Sequence, residues 1–188
     1  MNKIVLLFLV LTSIYACNGT DYIPKPTAYP RIDLPESNYK LLESDCPFTF
    51  DYAASSIISF PETSTNYCWM NVDYPSLKCR LHLSYKLVDG NLNSLLEDSR
   101  TLVYKHTIKA SAINEQSFID LDRKVFARIY ELEGDAASSV QFYATDSLQH
   151  FIRGALYFNA KTNSDSLKPS ILHVREDVRH LIETLRWK

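Results

Sequence analysis

The chain has 188 residues, of which 46% are hydrophobic, 12% aromatic and 22% charged, with a formal net charge of −2. Only four glycines and this aromatic content exclude a disordered or collagen-like chain. Near-neutral charge without a long block of one sign disfavours nucleic-acid binding, and the length suits one domain with a real core.

Residues 1–16 carry Lys3, the apolar run from Ile4 to Leu11 and a short segment ending in Ala16, directly before Cys17. One cation, a short apolar core and a small residue are the layout of a secretory signal. The run is shorter than the ~20 apolar residues a spanning helix needs. Ile14, Ala16 and Cys17 resemble a lipobox, with Tyr15 departing from the usual small residue. The expectation is removal of residues 1–16 and acylation of Cys17, so that a lipid anchors the protein to a membrane. Only Lys3 is lost in this step, which leaves 19 basic and 22 acidic residues and a net charge of −3.

Residues 17–43 read as a tether. Pro24, Pro26, Pro30 and Pro35 are half of the chain's eight prolines, and that density favours an extended spacer. Tyr22, Ile23, Tyr29, Arg31 and Ile32 are more than a plain stalk requires, and they suit docking on a partner or on the domain itself.

The domain is expected over 44–188 and opens on strands. Phe48, Phe50 and Tyr52 alternate with polar or small residues, as do Cys68, Met70 and Val72. The cleanest period of two runs through Cys79, Leu81, Leu83, Tyr85 and Leu87, ending at Asp89-Gly90-Asn91. A helix is predicted from about Leu92 to Ala110, with Asn91 or Asn93 as its cap and one face built from Leu92, Leu95, Leu96, Ser99, Val103 and His106. Ile113 to Asp120 reads as a shorter helix or a turn. Strands follow at Lys124–Leu132, Ser139–Thr145 and Phe151–Ala160, and their short connections require antiparallel neighbours. Val174, Val178, Leu181, Ile182 and Leu185 then mark an amphipathic helix, with Glu176, Asp177 and Glu183 on its solvent side. This order gives one α+β domain, a mainly antiparallel sheet covered by helices, reminiscent of the PsbP/Mog1-like sandwich.

Of the three cysteines after Cys17, at least one is unpaired within the chain. A tight turn at Asp73-Tyr74 sets Cys68 opposite Cys79, whereas a six-residue loop from Asp73 to Lys78 leaves them ~13 Å apart at the usual strand rise. The spacing leaves the bond open.

No metal-ligand spacing, glycine-rich phosphate loop or Gly-x-Ser-x-Gly elbow is present, and no cofactor is expected. The most suggestive polar cluster is Asp146, Ser147 and His150. As a hydrolase site it would use Ser147 as nucleophile and His150 as base; as a turn it would use Asp and Ser side chains to close the backbone. The turn is the better reading. Gly154 within an apolar strand implies that something needs the room. Arg153 is expected either to pair with Asp98 or Glu183 or to contribute, with nearby aromatics, to a partner-binding patch.

Several stretches together resemble the gliding motility lipoprotein GldD family of Bacteroidetes. They are Tyr22-Ile23-Pro24-Lys25-Pro26, the run from Tyr29 to Pro35, Cys46 to Phe50, Leu83 to Lys86, Leu96 to Arg100, Asp146-Ser147 with His150 to Phe158, and Ile182 to Lys188. The resemblance implies an envelope lipoprotein, anchored at the periplasmic face of a membrane. It implies a role in gliding motility and in the type IX secretion apparatus, alongside other lipoproteins of that machine, and no catalytic residue. The expected function is a non-enzymatic scaffold that meets partners through Tyr22, Tyr29, Arg31, Ile32 and Arg153. The alternative is a small envelope hydrolase at Asp146–His150.

Overall fold

Alternation in a strand sends successive side chains to opposite faces, so the run from Cys79 to Leu87 needs a core on one side only. The computed structural model describes residues 32–61, 68–159 and 164–188, and in it this run is a nine-residue strand with Cys79, Leu81, Leu83 and Tyr85 buried. The strands in chain order are β1 (Tyr39–Leu41), β2 (Phe48–Thr49), β3 (Asp51–Ala53), β4 (Ile57–Ser59), β5 (Met70–Tyr74), β6 (Cys79–Leu87), β7 (Ala110–Asp120), β8 (Val125–Gly134), β9 (Ser138–Thr145), β10 (His150–Phe158) and β11 (Arg186–Trp187). The helices are α1 (Leu92–Tyr104), continued by a 3₁₀ turn over Lys105–Ile108, and α2 (Ser164–Thr184).

Seven strands form one antiparallel sheet in the order β4-β5-β6-β10-β9-β8-β7, and β1-β3 and β2-β11 form two small pairs beside it. The protein is thus a single α+β domain, a mainly antiparallel sheet with helices over it. Val174, Val178, Leu181 and Ile182 of α2, with Leu185 just past its end, bury fully in the main core with Leu81, Phe142, Ile152 and Leu156. Each such side chain contributes ~1.5–3 kcal/mol. Glu131, 5% exposed, adds ion pairs to Arg175 at 2.9 Å and Arg179 at 2.8 Å, which tie α2 to β8. On the opposite face Val103 of α1 packs with Tyr130, Leu132 and Ala136 in a second, smaller core. Asn91 stands at the N-cap of α1, yet its Oδ1 accepts from the N–H of Asp89 and closes the preceding turn.

Three expectations change here, and the cysteine pairing that the spacing leaves open is decided. The stretch Ile113–Asp120 is part of β7, an edge strand, and not a helix or turn. Its residues are largely exposed on both faces, so burial writes no period of two into them. Pairing with β8, Ile113 opposite Leu132 through Asp120 opposite Val125, makes the strand. The folded part also reaches back into the stretch expected as tether, because Ile32 packs against the main core and Tyr39–Leu41 pairs with Ala53–Asp51. The turn between β5 and β6 is Pro75–Lys78, setting Tyr74 opposite Cys79, so Cys68 lies beyond the far end of β5. Its bond is to Cys46, with 5.5 Å between the Cα atoms, and Cys79 is free and buried.

The third change is Asp177. It is buried rather than solvated, because Tyr39 of β1 and Tyr74 of β5 both reach over to its carboxylate on the flank of α2 that the apolar stripe leaves uncovered. Tyr39 donates to Asp177 Oδ1 at 3.1 Å and stacks on His180 at 3.7 Å. Burial raises the carboxyl above its ordinary value, outweighing the opposing charges of His173 and His180 and the tyrosine hydrogen bonds. The folded state therefore keeps this proton at a pH where the unfolded chain has lost it, and stability falls as pH rises from 3.8 through the folded value. Asp177→Asn should match the wild-type melting temperature near pH 3 and exceed it at pH 7. A wild type more stable than Asp177→Asn at neutral pH would refute this account of the shift.

Candidate functional site

The β9–β10 turn is built around one carboxylate. Asp146 Oδ1 accepts from the backbone N–H groups of Leu148 at 3.0 Å, Gln149 at 2.8 Å and His150 at 2.8 Å. Burial works to raise its pKa, but these three donors prevail and hold the carboxyl below its ordinary value. Ser147 takes a left-handed φ of 68°, and its N–H donates to Thr145 Oγ1 at 2.9 Å. His150 faces the other way, into the domain. Its Nδ1 is 2.8 Å from Tyr85 Oη and its ring stacks on Trp187 at 5.2 Å. Ser147 is exposed and His150 buried, and no hydrogen bond joins their side chains among the described residues.

Arg153 lies on the α1 side of β10, between Ser84 of β6 and Tyr143 of β9. Neither expected carboxylate pairs with it. Asp98 lines the same cleft without an ion pair to Arg153, and Glu183 lies on α2, which packs on the opposite face of the sheet. Instead Nη2 donates to Gln141 Oε1 at 2.5 Å. Burial pushes the guanidinium below its ordinary range. His106 is likewise held below its usual value, by burial and then by the charge of Arg153.

The cleft beside Arg153 draws on four elements. Lys86 and Ser84 come from β6, Phe151 from β10, Leu95, Ser99 and Leu102 from α1, and Trp69 from the approach to β5. Trp69 is fixed by its Nε1–H bond to the Tyr85 carbonyl at 2.8 Å, and Phe151 by stacking on Tyr143 at 5.7 Å. The sequence singled out Arg153 and Asp98; Trp69, Lys86 and Lys105 carried no local signal, since only strand order brings them together. Ile32 packs on its own domain, while Cys17, Tyr22, Tyr29 and Arg31 lie outside the described residues. No group of three or more His, Cys, Asp or Glu side chains that could hold a metal ion occurs among the described residues.

Fold and cleft together define a single α+β domain with a part-polar cleft between a helix and one face of an antiparallel sheet. The family model for the gliding motility lipoprotein GldD matches residues 19–187, and the chain belongs to that family. It is therefore a gliding-motility lipoprotein, anchored to a membrane of the cell envelope. No helix among the described residues is long and apolar enough to cross a membrane. Comparison with curated proteins gives no match. Among solved structures, cyanobacterial PsbP (CyanoP) from Synechocystis sp. PCC 6803 is similar to it, with 6% identity and a TM-score of 0.48 over 82% of this chain and 95% of that one.

Proposed function

We propose that the protein is a non-enzymatic scaffold or assembly component of the gliding motility and type IX secretion machinery. A lipid on Cys17 holds it after removal of residues 1–16. It meets other lipoproteins of the machine through Tyr22, Tyr29 and Arg31 of the N-terminal segment and through Arg153, whereas Ile32 is taken up by the domain itself. The observation that supports this reading over a hydrolase is the state of the one polar cluster the sequence offered. Asp146 is committed to three backbone donors, His150 is locked between Tyr85 and Trp187, and Ser147 stands in solvent.

Two tests follow. Ser147→Ala should glide like wild type, and His150→Ala should lower the melting temperature by several degrees through loss of a buried hydrogen bond and a ring stack worth ~1–2 kcal/mol. A folded, fully expressed Ser147→Ala protein that abolishes gliding would bring the hydrolase back. Cys17→Ser should remove the acyl mass and release the protein from the membrane fraction. Mass spectrometry that finds acyl chains retained in that variant, or a mature N-terminus elsewhere in the wild type, would refute the anchor.

A further inference from the structure

The cleft beneath α1 has a volume of ≈ 340 Å³, at the lower end of the ~300–1,000 Å³ range of small-ligand sites. Trp69, Leu95, Leu102 and Phe151 give it apolar walls. Its charged groups are Arg153, Lys86 and Lys105 against the single carboxylate Asp98, so the cleft is locally positive in a chain whose net charge is −2.

Arg153 is held in place rather than neutralised. Its partner Gln141 is 1% exposed and uncharged. Arg153 Nε and Gln141 Nε2 are both buried without a hydrogen-bond partner among the described residues. A half-buried cation with unused donors costs folding free energy. An incoming anion gains charge-assisted hydrogen bonds that low-dielectric walls strengthen. The apolar walls call for an apolar group beside that anion. Lys86, Lys105 and Asp98 are exposed at the rim, so Arg153 is the one part-buried charge in the cleft, and it suits a single negative charge better than a dianion.

We propose that this cleft binds a monocarboxylate bearing an apolar group, with the carboxylate on Arg153 and the apolar group against Trp69, Leu95, Leu102 and Phe151. The proposal rests on the reading of Arg153 as a partner contact and names what that contact recognises. Two sources share the chemistry: the terminal carboxylate of a peptide ending in an apolar residue, and a free acid.

The test uses the full lipidated chain in detergent micelles with Trp187→Phe, which leaves Trp69 as the only one of the two tryptophans and a fluorescent reporter inside the cleft. N-acetyl-L-phenylalanine should change Trp69 emission saturably. N-acetyl-L-phenylalaninamide and inorganic phosphate should not. Tighter binding of N-acetyl-L-phenylalanine than of 3-phenylpropionate supports a peptide terminus, and the reverse order supports a free acid. Arg153→Met should weaken binding on the order of 10–100-fold while its melting temperature does not fall, because a buried charge without a counter-charge has been removed. An equal response to the amide, a phosphate response as strong as the acid's, unchanged affinity in Arg153→Met, or no saturable response to either acid would overturn the proposal; the acid–amide comparison needs no Arg153 variant to fold. Gliding separates the two readings. Arg153→Met cells that stop gliding although wild type binds neither acid would overturn the ligand class and leave the partner contact. Normal gliding after binding is lost would overturn the partner contact and leave the ligand class.

Discussion

Gly154→Ala should lower stability by about 3 kcal/mol, near the top of the usual range for forcing a methyl into a filled core, and the melting temperature by about 6–12 °C for a domain of this size. The glycine is not there for backbone freedom, since its φ is not in the left-handed region. It is there for space. A Cβ at this position would lie 2.6 Å from Cζ and 2.7 Å from Cδ1 of Phe142, and closer still to Cε1. Phe142 sits directly opposite on β9 and is 1% exposed, so its ring has no open direction in which to yield. Ala is otherwise the better strand residue, because glycine loses more backbone entropy on folding. The expected sign is therefore opposite to intrinsic preference. Phe142→Leu in the Gly154→Ala background should recover part of the loss, making the double variant more stable than the sum of the single effects. A Gly154→Ala protein that melts with the wild type would show that the ring can move, and the steric account would fail.

Loss of the Cys46–Cys68 bond should cost about as much. The bond closes a segment with a sequence separation of 22, for which chain-entropy arguments give about 3 kcal/mol. It ties the stretch before β2 to the stretch before β5, and both sulfurs are in the main core. The free thiol does not compete for it: burial pushes Cys79 up to about 12, so almost no thiolate forms at neutral pH to attack the disulfide. Thermal melts of Cys46→Ala/Cys68→Ala should fall by about 6–12 °C, a strong reductant should bring the wild type to the same value, and Cys79→Ala should keep the disulfide. If reductant leaves the wild-type melt unchanged while removing the bond by mass, the cross-link contributes no stability and the argument is wrong.

Gly154 and Arg153 differ in how plainly the sequence announces them. Gly154 reads as a position that needs room, because a glycine within the apolar run of β10 has no other reason to be there. That the room belongs to Phe142 follows only from the β9–β10 register. Arg153 stands out by charge in the same run, but its neighbours Gln141, Trp69 and Lys105 come from three other parts of the chain. Helical periodicity puts Asp177 on the solvent side because it reports the face that packs on the sheet and is blind to Tyr39 reaching in from β1.

By itself the sequence determined β5, β6, β8, β9 and β10, the apolar stripe of α2 and the turn at Asp146, because burial on one face writes a period of two or 3.6 and a turn writes its own side-chain chemistry. The tertiary structure alone decided that Ala110–Asp120 is an edge strand, that Cys46 takes Cys68, that Asp177 is covered and that Arg153 opens into a cleft. Each of those depends on which distant segment lies alongside, and a local pattern records that a face is buried without recording what buries it.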